Sequence, residues 1–181
     1  MMEDLSLHIL DLAENAMAAG AGRIEISINE NEKRDLLTIR VNDDGRGMTT
    51  GEVERAPDPF FTTKRKRTGL GLALLAQTAG LCGGDVAVIS APSKGTRVAA
   101  RFKYRHIDRP PLTKMTETMM MLVFGHPEID FRYRHRRNGR EFRFASLRFF
   151  QGTGLAPAWS PGRIEKVRRA LRAGLRRIGA S

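Results

Sequence analysis

The chain has 181 residues with 41% hydrophobic content, which suits one domain, or one domain with a smaller appendage, around a real core. No apolar run approaches the roughly 18–20 residues of a membrane span, Met1-Met2-Glu3-Asp4 lacks the basic and apolar regions of a signal peptide, and the single cysteine excludes an intrachain disulfide. Residues 1–104 hold 14 Lys and Arg against 14 Asp and Glu, whereas residues 105–181 hold 17 against 6, so the whole net charge of +11 sits in the second part.

In chain order, Leu5, Ile9, Leu12 and Ala16 recur at helical spacing over residues 5–19, and Gly20 and Gly22 end that helix. Ile24, Ile26 and Ile28 alternate through a strand from Arg23 to Asn29. A polar loop from Glu30 to Arg34 leads to a second strand, Leu36 to Val41. Residues 42–66 are interrupted by Gly and Pro, with one helical turn near Glu52 to Arg55. A helix from about Leu70 to Leu81 follows, closed by Gly83-Gly84. Cys82 at its end reads as a buried thiol. Two strands, Val86 to Ser90 and Arg97 to Lys103, flank a turn at Pro92 to Gly95. The sum is an α/β layer with helices over one face of a sheet.

A boundary is expected at His106 to Pro111, where Pro110-Pro111 forbids regular structure. This divides the chain into residues 1–104 and a basic extension, 105–181. The extension reads as a Met-rich helix from Thr113 to Phe124, a hairpin of Asp130 to Arg136 and Arg140 to Phe144 around Asn138-Gly139, and a helix from Pro161 to Ile178. Ile164, Val167, Leu171, Leu175 and Ile178 form one stripe of that last helix.

Four short motifs carry chemistry. On the first helix Asp11 and Asn15 lie only ~40° apart, with His8 near the same face, while Glu14 points to solvent. An Asn carbonyl oxygen beside a core is a suitable hard ligand for Mg2+, and Asp11 could orient an attacking group or accept its proton. An ordinary polar helix edge is the simpler reading. Asp43 precedes Gly45 and Gly47: its carboxylate can accept a hydrogen bond from an exocyclic amine, which separates adenine from guanine, or the segment is merely an Asp-Gly turn. Gly69-Leu70-Gly71-Leu72 opens a helix whose free N–H groups can face phosphates. Lys64-Arg65-Lys66-Arg67 brings positive charge to the same place, or is a solvated charge run. Phe60-Phe61 could anchor that loop, or serve as core.

The order and spacing of these motifs resemble the histidine-kinase-like (GHKL) ATPases. The first helix resembles the N box, Asp43 to Gly47 the G1 box, Pro59 to Lys64 the F box and Gly69 to Leu72 the G2 box. Ser90 to Phe102, with Gly95-Thr96, resembles the closing strands of sensor-kinase catalytic domains. The resemblance covers about residues 5–104. It implies the Bergerat fold, an α/β (α+β) sandwich, binding ATP and Mg2+ under a lid, here with a small C-terminal helix–hairpin–helix extension. It also implies that Asn15 holds Mg2+, Asp43 reads adenine, Gly45, Gly47, Gly69 and Gly71 shape the pocket with Leu70 and Leu72, Lys64 offsets phosphate charge, and Thr96 lies near Asp43.

Two departures bear on activity. None of His8, His106, His126 or His135 sits in a phospho-acceptor motif, so autophosphorylation in the usual arrangement is not expected. Asp11 stands where hydrolysing members and anti-sigma-factor kinases carry a general-base Glu, one methylene longer. The expectation is a cytoplasmic protein kinase or ATPase acting on a separate protein or on water. The alternative is a non-enzymatic, ATP-dependent switch that binds a partner through its basic region. For that region, Phe131, Tyr133, Phe142 and Phe144 either pack beneath the hairpin with Arg in solvent or, with the arginines, track nucleic acid. Docking to an acidic protein and membrane-surface binding by the last helix are further readings.

Overall fold

The structure is a computed structural model that describes residues 4–56, 71–150 and 159–180. Its elements are α1 (Leu5–Ala18), β1 (Arg23–Asn31), β2 (Leu36–Asp43), α2 (Thr50–Arg55), α3 (Gly71–Leu81), β3 (Asp85–Ser90), β4 (Thr96–Lys103), α4 (Met115–Gly125), β5 (Asp130–Arg137), β6 (Arg140–Ala145), α5 (Leu147–Phe150) and α6 (Pro161–Ile178). One six-stranded sheet runs in the order β3-β4-β2-β1-β5-β6. Every pairing is antiparallel except β1 with β5, where Ile26 faces Tyr133 in parallel register.

The helices lie over one face of the sheet, where α1 touches α3 and α4, and α4 touches α6. Alternation does the sorting: Ile24, Ile26 and Ile28 of β1 are buried while Glu25 and Ser27 face the other way. The Met-rich α4 buries Met115, Met119, Leu122 and Val123, and Cys82 is buried as expected. The α6 stripe buries Val167, Leu171, Leu175 and Ile178, with Ile164 partly buried. Close helix–sheet approach there depends on Gly174, where an added Cβ would stand 2.2 Å from the Phe142 ring.

The hairpin 130–145 does not stand apart from the first 104 residues. It extends their sheet through β1, and its aromatics join the same continuous core. Phe131, Tyr133, Phe142 and Phe144 are all buried, so the packed reading of the hairpin holds. Asn138 and Gly139 both take positive φ, as the two-residue turn requires. The segment read as a polar loop at Glu30 is instead strand, because Glu30 pairs with Leu37 on one side and Arg137 on the other.

That join is sealed by a buried polar chain. His135, 1% exposed, contacts Glu30 Oε1 through Nε2 at 2.7 Å and the Tyr133 hydroxyl through Nδ1 at 2.7 Å. Glu30→Ala strands a buried ring nitrogen, at a cost of about 1–3 kcal/mol. The expected fall in melting temperature is about 3–10 °C, against a change under about 2 °C for Glu25→Ala, whose partner Arg132 is exposed on the open face. Thermal unfolding of both variants checks this; equal shifts would contradict it.

Candidate functional site

The site is assembled at the end of β2, where three strands bring polar residues to the helix side of the sheet in one row. Asp43 pairs with Ile24 on β1 and Thr96 on β4, and Thr96 pairs with Ser90 on β3. The Asp43 Oδ1 accepts from the Gly45 N–H at 2.9 Å and the Thr96 N–H at 3.3 Å. Its Oδ2 has no hydrogen-bond partner among the described residues. A carboxylate thus oriented on one oxygen presents the other as a fixed acceptor. Burial pushes the Asp43 carboxyl above the ordinary carboxylate value; the Gly45 and Thr96 N–H groups pull it back only in part, and Asp44 pushes it further.

The wall behind Asp43 is backbone, and three glycines make it fit. Gly47 has φ +69°, and a Cβ there would lie 2.0 Å from the Ala91 carbonyl oxygen. Gly95 has φ +71°, and a Cβ would lie 1.9 Å from the carbonyl oxygen of Asp43 itself. At Gly45 the nearest atoms would be 3.0 Å away, on Ala19 and on Asp43 Oδ1. Ser90 fastens this wall: its hydroxyl accepts from Met48 N–H at 2.9 Å, donates to the Gly95 carbonyl at 2.8 Å and meets Thr96 Oγ1 at 3.0 Å. Asp44 does a separate job, accepting from the Gly22 and Arg23 N–H groups at 2.8 Å and so pinning the turn between α1 and β1.

The second wall is α1. Its C-terminal Ala19 carbonyl accepts from Arg46 N–H at 3.0 Å, which holds the Gly45–Gly47 loop one turn beyond Asn15. Asp11, a further turn back, lies against the start of α3: a Cβ at Gly71 would stand 2.8 Å from the Asp11 Cβ and 3.0 Å from its Oδ2. The Asp11 carboxylate therefore sits beside a helix N-terminus, where negative charge is favoured. Asp11 and Asn15 are both partly buried and Glu14 is exposed, as the helical wheel requires. Leu72, at the start of α3 beside Gly71, is 8% exposed and packs against the core. Lys64, Gly69 and Leu70, with Pro59 to Arg67, lie outside the described residues.

The structure thus brings Asp43, Gly45, Gly47 and Thr96 into one cradle and Asp11, Asn15 and Gly71 into its neighbour. The residues suit an adenine nucleotide: an oriented acceptor with a spare oxygen, backed by glycines whose Cβ space is filled by backbone. Among the described residues no group of three or more His, Cys, Asp or Glu could hold a metal by itself. Asn15 fits the alternative, a hard oxygen donor to an ion shared with phosphates and water. Ser90 and Asp44 escaped the sequence reading because Ser in a strand and Asp before Gly are common; only the strand register shows which carboxylate points where. Among the described residues no helix is long and apolar enough to cross a membrane.

Residues 3–106 match the family described as Histidine kinase-, DNA gyrase B-, and HSP90-like ATPase. Among curated proteins, the sensor histidine kinase WalK of Bacillus subtilis is 32% identical over 112 residues, 57% of this chain and 18% of that protein. The sensor histidine kinase ZraS of Escherichia coli O157:H7 is 36% identical over 89 residues, 49% of this chain and 19% of that protein. The chain therefore spans less than a fifth of the length of these relatives. Among solved structures, the Aquifex aeolicus MutL ATPase domain complexed with ADP superposes with a TM-score of 0.53 at 17% identity, covering 92% of this chain and 69% of that one. The N-terminal domain of a DNA repair protein gives 0.54 at 16% identity, covering 78% and 52%. These structures share the fold, and the MutL match extends beyond the residues matched by the family.

Proposed function

The chain belongs to the histidine kinase-, DNA gyrase B- and HSP90-like ATPases and carries their ATP-binding domain, and from that premise we propose that it binds Mg-ATP and transfers the γ-phosphoryl group to a separate protein or to water. Asp43 would accept the adenine amine on its spare oxygen, with Thr96 beside it and Gly45 and Gly47 admitting the base. Asn15 would hold the metal, which when bound supplies positive charge to the phosphates. Gly71, with Gly69 and Leu70, would present helix N–H groups to the phosphates, and Lys64 would offset their charge.

The observation that carries the transfer step is Asp11, packed on Gly71 at the N-terminus of α3 and one turn from Asn15. As the attacking oxygen or nitrogen bonds to the γ-phosphorus and the bond to the β-phosphate oxygen breaks, Asp11 would take the proton released by the nucleophile. Of the four histidines, His8 and His135 are buried, at 6% and 1% exposed, whereas His106 and His126 are partly exposed, so the acceptor assay includes the protein itself. Asp11→Asn is expected to lower turnover by about a hundredfold or more while the ATP dissociation constant changes less than about threefold. Single-turnover assays with radiolabelled ATP and equilibrium binding separate the two. Unchanged turnover removes Asp11 from the chemistry. A parent protein that binds ATP but never turns it over, with or without candidate acceptors, favours the second reading, a nucleotide-dependent switch, which the cationic surface of the chain supports.

A further inference from the structure

The face of the sheet away from the helices is where the positive charge of two distant chain segments meets. Cross-strand register sets Ala87, Ala99, Arg40, Ser27, Arg134 and Arg143 in one row. The adjacent row on the same face runs Ile89, Arg97, Asn42, Glu25, Arg132 and Ala145. A groove of about 790 Å³ lies over the β2–β1–β5–β6 portion, walled at one end by Leu147 and Arg148 of α5. Arg40, Arg97, Arg132, Arg134, Arg143 and Arg148 are all exposed there. Arg132, Arg134 and Arg143 contact Glu25, Asp130 or Glu141, whereas Arg40 and Arg97 have no acidic partner among the described residues.

We propose that this arginine-lined sheet face is a docking surface for a carboxylate-rich segment of another protein. The zero net charge of residues 1–104 hides it, because Arg40 and Arg97 come from that part and the remaining arginines from the other. Arg40 and Arg134 flank Ser27 from opposite sides, about 10 Å apart at two strand spacings, and each offers a guanidinium fork that pairs with carboxylates two bonds at a time. Six strands of about eight residues give a face on the order of 700 Å², close to the ~800 Å² that each partner contributes to a standard interface.

A protein suits the surface better than nucleic acid. Glu25 and Glu141 project among the arginines and would repel a phosphate backbone charged at every unit, whereas a peptide with spaced carboxylates can set its neutral residues against them. The hairpin aromatics Phe131, Tyr133, Phe142 and Phe144 are buried on the other side and offer bases no stacking platform on this face. The surface stands apart from the nucleotide reading, because Asp43 and Thr96 face the helix side. The arginines of α6 provide the control: Arg169 and Arg176 are exposed too, yet they lie on a convex helix.

The test is fluorescence anisotropy with a labelled peptide of alternating Glu and Ser, alongside an oligothymidylate of equal length. The parent is expected to prefer the peptide. Arg40→Glu with Arg134→Glu should weaken it at least about tenfold, and the corresponding Gln pair by less. Arg169→Glu with Arg176→Glu, an equal change in charge, should weaken it less than about threefold. Equal losses from both Glu pairs, preference for the oligonucleotide, or no peptide binding by the parent would each overturn the proposal. Circular dichroism confirms the folded state; if a Glu pair misfolds, the Gln pair decides. A parent that binds peptide but not ATP would sink the nucleotide reading and leave this one standing.

Discussion

Asp43→Asn is expected to weaken ATP binding by two to three orders of magnitude while leaving the fold intact. The substitution keeps an oxygen for the Gly45 and Thr96 N–H groups, so the loop stays in place. The spare oxygen becomes an amide NH2, which would set donor against donor at the adenine amine. Losing a hydrogen bond to a charged acceptor and leaving a buried donor unmatched together cost about 3–4 kcal/mol, at about 1.4 kcal/mol per tenfold. Calorimetric titration with ATP measures it, and binding within threefold of the parent would remove Asp43 from adenine recognition.

The same carboxyl sets a pH dependence with two opposite signs. Its folded value is raised, chiefly by burial. ATP affinity, which needs the ionised acceptor, should fall as pH drops through that raised value, whereas affinity in Asp43→Asn should stay flat over the same window. The ligand-free fold responds the other way. Its Asp43 contribution is unfavourable above the raised value and is relieved as pH falls toward the ordinary carboxylate value. The difference between parent and variant isolates this from Asp85 and Glu141, whose lowered values make their contributions disappear in acid.

Gly95→Ala should be strongly damaging for so small a substitution. The residue sits at φ +71°, a region that costs a side chain about 1–2 kcal/mol. The new methyl would also stand 1.9 Å from the Asp43 carbonyl oxygen and 3.0 Å from the Asp44 Cα. Backbone must move, and it is the backbone that carries Asp43, the proposed adenine acceptor. A loss of about 3–5 kcal/mol is expected, about 10 °C or more in melting temperature, together with loss of ATP binding. Gly80→Ala is the control. It lies in α3 with nothing within 4 Å of the added methyl, and should gain about 0.5–1 kcal/mol from helix propensity. A Gly95→Ala protein that melts with the parent and still binds ATP would show that the turn yields freely.

Much of this was legible in one dimension because the signals are local. The Asn138-Gly139 turn, the α6 stripe and the β1 alternation each depend on a few neighbouring residues and on periods of 2 or 3.6. The four motifs in order identified Asp43, Asn15 and their glycines as candidates for a nucleotide site. Asp43 and Asp44 could not be told apart in role by composition. Their division of labour follows from strand pleat, which turns one side chain to the helix side and frees its neighbour to cap β1. Ser90 is invisible for the same reason: its value lies in two hydrogen bonds across residues 48 and 95.

By itself, then, the sequence determined most of the secondary elements, the expectation of a nucleotide domain and the alternation of aromatic and basic residues in the hairpin. Tertiary structure decided where those parts meet. The hairpin of the basic extension completes the sheet beside β1, Gly71 lies on Asp11, and Arg40 shares a face with Arg134. The physical reason is range. Propensity and periodicity act over a few residues, whereas strand register and close packing bring together groups about a hundred residues apart, and only contact between them fixes which charges are paired and which carboxylate is left to bind.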